Sequence, residues 1–98
     1  MRGEVHEVPL ILKPGGRRVG VGRVSDNELS LNDASVSKIH AAITMNQQGT
    51  LLVADTGSTN GTFINGRRIA YGEARQIEDR DVVGFGDVEV RFRKNASE

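Results

Sequence analysis

Apolar residues in this chain recur at every second position, and no stretch of ten or more carries the i, i+3, i+4 spacing of an amphipathic helix. Val88, Val90 and Phe92 alternate with Glu89, Arg91 and Arg93, and Val19 and Val21 alternate with glycines. Leu29 and Leu31 alternate with Glu28, Ser30 and Asn32. Ile39, Ala41, Ile43 and Met45 fall on one face, with Lys38, His40, Ala42 and Thr44 on the other. Successive side chains of an extended strand point to opposite faces, so this period dictates half-buried strands.

Turn residues separate the runs. Pro14-Gly15-Gly16 divides the first two strands, Gln47-Gln48-Gly49 the middle pair, and Gly86-Asp87 closes a late hairpin. Asn65-Gly66 joins strands predicted at 62–64 and 67–69, because Asn-Gly suits a primed turn whose two central residues take positive φ. Short strands punctuated by twelve glycines predict an all-β fold, an antiparallel β-sandwich of two sheets with its binding loops at one end. A small closed barrel is the alternative. The length predicts a single domain over 1–98, its core spanning about 9–93 and its polar tail, 94–98, frayed. Burying each inner Val, Ile, Leu or Phe contributes about 1.5–3 kcal/mol, enough for one marginally stable domain.

Composition narrows the function. There is no cysteine, so disulfides, thiolate metal sites and thiol nucleophiles are excluded, and a reducing, cytoplasmic setting is expected. The longest apolar run, 8–12, is interrupted by Pro9 and falls short of a membrane span. Thirteen basic and thirteen acidic side chains cancel, so net charge draws the chain to neither nucleic acid nor membrane. Three Phe and one Tyr are few for stacking single-stranded bases. His6 and His40 are the only imidazoles and form no recognisable triad or metal cluster, so no catalytic residue, metal or cofactor is assigned, and an enzyme is not expected. Locally, Lys13, Arg17, Arg18 and Arg23 give the segment 13–25 a charge of +4. On charge alone, a solvated hairpin tip is the better reading of it than an anion site.

Four pieces fall in predicted loops or strand ends: Gly22-Arg23, Ser37-Lys38-Ile39-His40, the run from Asp55 to Thr62, and Asn65-Gly66. Taken singly, each has a plain structural reading. Arg23 is a surface charge, Ser37 a turn cap, Ser58-Thr59-Asn60-Gly61 a polar turn, and His40 a buried, hydrogen-bonded histidine rather than a ligand or base. Taken together, their donors suit a phosphate dianion. Arginine offers a planar fork for two oxygens, and serine, lysine and threonine add further donors. An asparagine amide donates and accepts at once, which suits a peptide backbone.

The ordered set Gly22-Arg23, Ser37-x-x-His40, Ser58-Thr59-Asn60-Gly61-Thr62 and Asn65-Gly66 closely resembles the forkhead-associated (FHA) domain, from about residue 9 to 92. The resemblance implies a β-sandwich with phosphothreonine-binding loops, which recruits phosphorylated partners in signalling and is monomeric as an isolated domain. It implies Arg23 and Ser37 as principal phosphate ligands, Lys38 as an assisting cation and Thr59 as a lining of the phosphothreonine pocket. Asn60 would bind the peptide backbone, while Gly22, His40, Gly61, Asn65 and Gly66 would set loop geometry. The alternative is an FHA-like scaffold that binds a protein partner independently of phosphorylation. Asn27-Glu28 departs from the family pattern, where Asp-Ile or Asp-Val is common, and reads as a charged outer-strand position that leaves the binding residues untouched. Asn60, ahead of Gly61, is a candidate for positive φ.

Overall fold

The computed structural model describes residues 5–10, 12–78 and 80–94, and every regular element within them is a strand. Ten strands form two five-stranded sheets. One sheet has the order β1 (Val5–Leu10), β10 (Val88–Lys94), β9 (Val83–Phe85), β6 (Thr62–Ile64), β7 (Arg67–Arg68). The other has the order β3 (Leu29–Ser30), β2 (Val19–Gly22), β4 (Ala41–Met45), β5 (Leu51–Asp55), β8 (Ala74–Ile77). Among the described residues no helix is long and apolar enough to cross a membrane.

The expected sandwich is present, but both sheets are mixed. β1 runs parallel to β10, from Val5 opposite Glu89 to Leu10 opposite Lys94, and β3 runs parallel to β2. All other strand pairs are antiparallel. Two-residue alternation fixes which face a side chain takes and carries no information on strand direction, so these edge pairings were not readable from the pattern. β1 begins at Val5, ahead of residue 9, and of the tail expected to fray, residues 95–98 lie outside the described residues.

The core lies between the sheets. Val21, Ile43 and Val53 point inward from one, and Val83, Phe85, Val90 and Phe92 from the other. Phe85 meets Phe92 edge-on at 6.1 Å and the His40 ring edge-on at 5.7 Å, geometries that aromatic quadrupoles favour. The Asn65-Gly66 turn has both central residues at positive φ, 52° and 85°, as a primed hairpin requires. Asn65 also takes the Val82 N–H on Oδ1 at 2.9 Å, tying this hairpin to the 78–82 loop. It is the single non-glycine residue with positive φ among those described, so the left-handed conformation considered for Asn60 falls instead on Gly61.

One predicted face is corrected. The alternation over 38–45 holds only from Ala41 onward: Ile39 is 62% exposed and His40 is fully buried. The chain bends ahead of β4, where the Lys38 carbonyl accepts from Asn27 and the His40 N–H donates to Val21 O at 2.8 Å. This bend turns Ile39 outward and His40 inward.

Candidate functional site

The candidate residues sit where three loops meet: 23–40, 56–61 and the β9–β10 turn at 86–87. Gly22 ends β2 with its Cα against the 38–40 backbone. A Cβ there would lie 2.2 Å from the Lys38 carbonyl oxygen, so only glycine allows this approach. The Arg23 N–H donates to Ser37 O at 2.9 Å, continuing the contact. Asn27 Nδ2 donates to both Val24 O and Lys38 O at 2.8 Å. The position read as a departure remote from binding thus holds the backbone of Lys38.

Arg23 is half-buried. Its Nε–H donates to Val36 O at 3.0 Å, which aims the guanidinium, and among the described residues its terminal nitrogens have no carboxylate partner. Ser37 Oγ accepts the Thr59 N–H at 3.0 Å, so its own hydrogen remains available to donate. The Ser37 N–H donates to His40 Nδ1 at 3.0 Å. Nδ1 is therefore unprotonated, and Nε2–H donates to Gly61 O at 2.9 Å. Burial pushes the His40 pKa below its ordinary value, against the opposing pull of the Gly61 carbonyl and the Asp55 carboxylate. The Gly61 carbonyl also accepts the Gly86 N–H at 3.0 Å, joining all three loops.

The 56–61 loop is organised by Asp55. Its carboxylate accepts the Gly57 N–H at 2.7 Å, the Ser58 N–H at 3.0 Å, the buried Thr62 hydroxyl at 2.8 Å and the Ser58 hydroxyl. Burial pushes the Asp55 carboxyl up, but these donors outweigh it and hold the group below the usual carboxylate range. Ser58 Oγ in turn accepts the Gly61 N–H at 3.0 Å. Asn60 Nδ2 donates to Ser35 O at 2.8 Å, and Ser35 Oγ donates to Asp33 and accepts the Asp87 N–H at 2.8 Å.

Asn27, Ser35 and Asp55 are thus supporting residues that sequence reasoning passed over. Asp55 had a legible signal, since an aspartate two or three residues ahead of a Gly-Ser pair is the pattern of a side chain capping its own turn.

Arg23, Ser37, Lys38, Thr59 and Asn60 line one open depression of about 520 Å³. Lys38, Thr59 and Asn60 are exposed in it. Gly22, His40 and Gly61 lie behind it, while Asn65 and Gly66 are not among its lining residues. Another depression, of about 490 Å³, beside Leu51 and Ile77 carries Glu78 and Asp81 against the single cation of Arg80, a net negative lining that disfavours an anion. The first offers two cations, three hydroxyls, of which that of Ser35 already donates to Asp33, and a carboxamide, the donor set of an anion-binding cleft with room for a peptide alongside.

The family model of the FHA domain matches residues 19–86, which hold all five of these residues. The chain belongs to the FHA domain family. Among curated proteins, this FHA domain is 36% identical over 81 residues to the ABC transporter ATP-binding/permease protein Rv1747 of Mycobacterium tuberculosis, a match spanning 83% of the chain. It spans only 9% of that protein's length. Among solved structures, the N-terminal FHA domain of S. cerevisiae Rad53p, in complex with a phosphothreonine peptide, superposes with a TM-score of 0.66 at 28% identity, covering 74% of this chain and 63% of that one. Mycobacterium tuberculosis EmbR, in complex with a low-affinity phosphopeptide, gives a TM-score of 0.65 at 30% identity over 74% of this chain and 18% of that one.

Proposed function

We propose that this FHA domain is a phosphothreonine-dependent binding module that recruits a phosphorylated partner protein. Arg23 and Ser37 are the principal phosphate ligands, Lys38 and Thr59 complete the phosphate pocket, and Asn60 holds the peptide backbone. One observation carries this reading: Arg23 and Ser37 border the same depression, each with its internal hydrogen bonds satisfied and a donor to spare. A dianion gains most from such charge-assisted donors held in place in advance. Asn60 spends one N–H on Ser35 and keeps the other, with its Oδ1, for a peptide amide. The Rad53p and EmbR complexes support the same ligand class. The reading treats 1–98 as a single binding domain acting in the cytoplasm, with no catalytic step assigned to it.

Calorimetry with a phosphothreonine peptide and its unphosphorylated twin tests this. Micromolar affinity, about 8 kcal/mol, is expected for the first and none measurable for the second. Because the second phosphate pKa is about 6, affinity declines below that pH as the dianion is lost. Equal affinity for the two peptides would replace this reading with phosphorylation-independent binding.

A further inference from the structure

Gly84 sits at the centre of β9, and nothing in the backbone requires a glycine there. Its φ is not positive, and its register with β6 and β10 is unbroken, so neither a turn nor a bulge passes through it. A Cβ at this position would lie 3.4 Å from its nearest neighbour, the Phe63 Cβ, an ordinary contact. At Gly22 and Gly86, by contrast, a Cβ would meet backbone oxygens at 2.2 and 2.3 Å. A strand glycine that the fold does not demand marks a place where something from outside approaches closely.

The surroundings say what that something is. Phe63, Gly84 and Glu89 form one row across β6, β9 and β10. The adjacent row, with Val83 and Val90, belongs to the core, so this one faces outward. Phe63 and Glu89 stand two strand spacings apart, about 10 Å, with only the glycine between them. That gap opens into a depression of about 410 Å³, rimmed also by Gly66 and Asp87. An aromatic ring and two carboxylates line it, and none of its lining residues is a cation. Glu89 is half-buried and has no hydrogen-bond or ion-pair partner among the described residues. Arg91, next along the same face, is engaged by Glu7 at 3.5 Å instead.

We propose that Phe63, Gly84 and Glu89 form a second binding cleft, which takes a lysine or arginine side chain from the surface of a partner protein. The aliphatic stem lies over Gly84, and the charged head gains from the ring of Phe63 and the carboxylate of Glu89 together. Arginine is the better occupant, since a planar guanidinium stacks on a ring and pairs with a carboxylate in one pose. The same carboxylates disfavour nucleic acid and anionic lipid. This cleft is separate from the phosphate depression, whose lining holds two cations and no carboxylate. The Asp87 N–H donates to Ser35 Oγ, so the 86–87 turn walls one cleft and backs the other. Surfaces of opposite sign on the two sides of one turn fix the orientation of a partner that carries both charges. The cleft does not rest on the phosphothreonine reading, because no phosphate enters it.

The test is an NMR titration of the isotope-labelled chain with an acetylated, unphosphorylated Gly-Arg-Gly-Arg-Gly peptide and its glutamine counterpart. The arginine peptide should shift the amides of Gly66, Gly84 and Glu89, saturate in the millimolar range and bind about fivefold tighter than the glutamine peptide. Glu89→Gln and Gly84→Val should each weaken it about fivefold, the first by removing the charge and the second by filling the gap with a residue that strands accept. Should Gly84→Val fail to fold, Glu89→Gln, which breaks no bond among the described residues, still decides the matter. Saturating free phosphothreonine should leave the shifts in place. Equal binding of the two peptides, or full binding by Glu89→Gln, overturns the proposal. Displacement by phosphothreonine would assign the peptide to the phosphate depression and overturn it too. So would sedimentation showing that copies of the chain associate through the exposed Arg17 and Arg18 and that Glu89→Gln separates them, since the cleft would then be a contact between copies. A chain that binds the arginine peptide but no phosphopeptide would keep this cleft and lose the phosphothreonine reading.

Discussion

His40 donates from Nε2 to the carbonyl of Gly61 at 2.9 Å, fastening the segment that carries Ser37 and Lys38 to the loop that carries Thr59 and Asn60. The other ring nitrogen takes the Ser37 N–H, so one buried imidazole sets both halves of the site. A neutral ring is required, because Nδ1 must accept while Nε2 donates.

His40→Ala is expected to lower stability by about 1–3 kcal/mol through lost hydrogen bonds and packing, with peptide affinity falling only as the loops loosen. The pH dependence is directional. The His40 pKa is lowered from 6.5, so the unfolded chain takes up the proton first as pH falls. The stability contributed by neutral His40 is full above 6.5 and is lost as pH drops through the folded value. Asp55 is lowered from 3.8, and its contribution, present above 3.8, is lost as pH falls through its own folded value. Melting temperatures recorded in a pH series should decline below 6.5 in the wild type and decline less in His40→Asn. Identical slopes would remove His40 as the cause, and a fully stable His40→Ala that binds nothing would make it a direct ligand.

Asp55→Ala should be the more damaging substitution, costing about 3 kcal/mol or more in urea denaturation, because it orphans donors that now meet a buried carboxylate. Ser37→Ala should do the reverse, abolishing phosphopeptide binding while costing only about 1 kcal/mol of stability for the lost bond from the Thr59 N–H. An Asp55→Ala protein as stable as the wild type would show that the 56–61 loop holds its shape by other means.

Arg23→Ala should cost about 2–5 kcal/mol of phosphopeptide binding, since it takes a charged donor from a dianion. The bond from Nε to Val36 adds a stability loss of about 1 kcal/mol, more than a free surface arginine would. Arg23→Lys should recover only part of the affinity, because the three donors of an ammonium radiate from one nitrogen, whereas the guanidinium holds Val36 O with Nε and keeps its terminal nitrogens as a separate planar fork. Normal binding by Arg23→Ala, measured calorimetrically, would remove the residue from the site.

Asn60→Ala should weaken phosphopeptide binding by about 1–3 kcal/mol and free phosphothreonine much less, because the free amino acid has no flanking backbone to hold. Arg23→Ala should weaken both ligands. NMR shift titration of the two variants against the two ligands separates the roles. Equal losses for Asn60→Ala would place Asn60 with the phosphate ligands, or show that its bond to Ser35 shapes the phosphate pocket.

Much of the architecture was legible because burial imposes a period on strands. Val19 and Val21, Val88 through Phe92, and the Asn65-Gly66 turn carry local signals that the sandwich retains. What was not legible depends on partners distant in sequence. The parallel direction of β1 and β3, the outward turn of Ile39 and the hold of Asn27 on Lys38 are set by contacts that no local pattern encodes. The same holds for the candidate site. Arg23, Ser37, Lys38, Thr59 and Asn60 were identifiable by donor chemistry and family resemblance, and their convergence on one depression is a product of the fold. Ser35, whose work is to hold other residues, shows its importance only once its partners are in place, whereas Asp55 carries the local signal of a side chain that caps its own turn.

The strand β1 is closed onto β10 across most of the chain, with Glu7 facing Arg91 84 positions later. Pairing segments so distant carries a loop-closure cost that is offset only after the intervening sheet has formed, so β1 is expected to join late in folding, which hydrogen exchange of its amides would check. While it is absent, β10 is an open edge whose backbone groups can recruit a strand from another molecule. The loops proposed to bind phosphate lie downstream of β1, within the segment the FHA family model covers. A chain shortened through β1 should therefore still recognise its ligand yet become sticky, so that solubility and recognition fail independently.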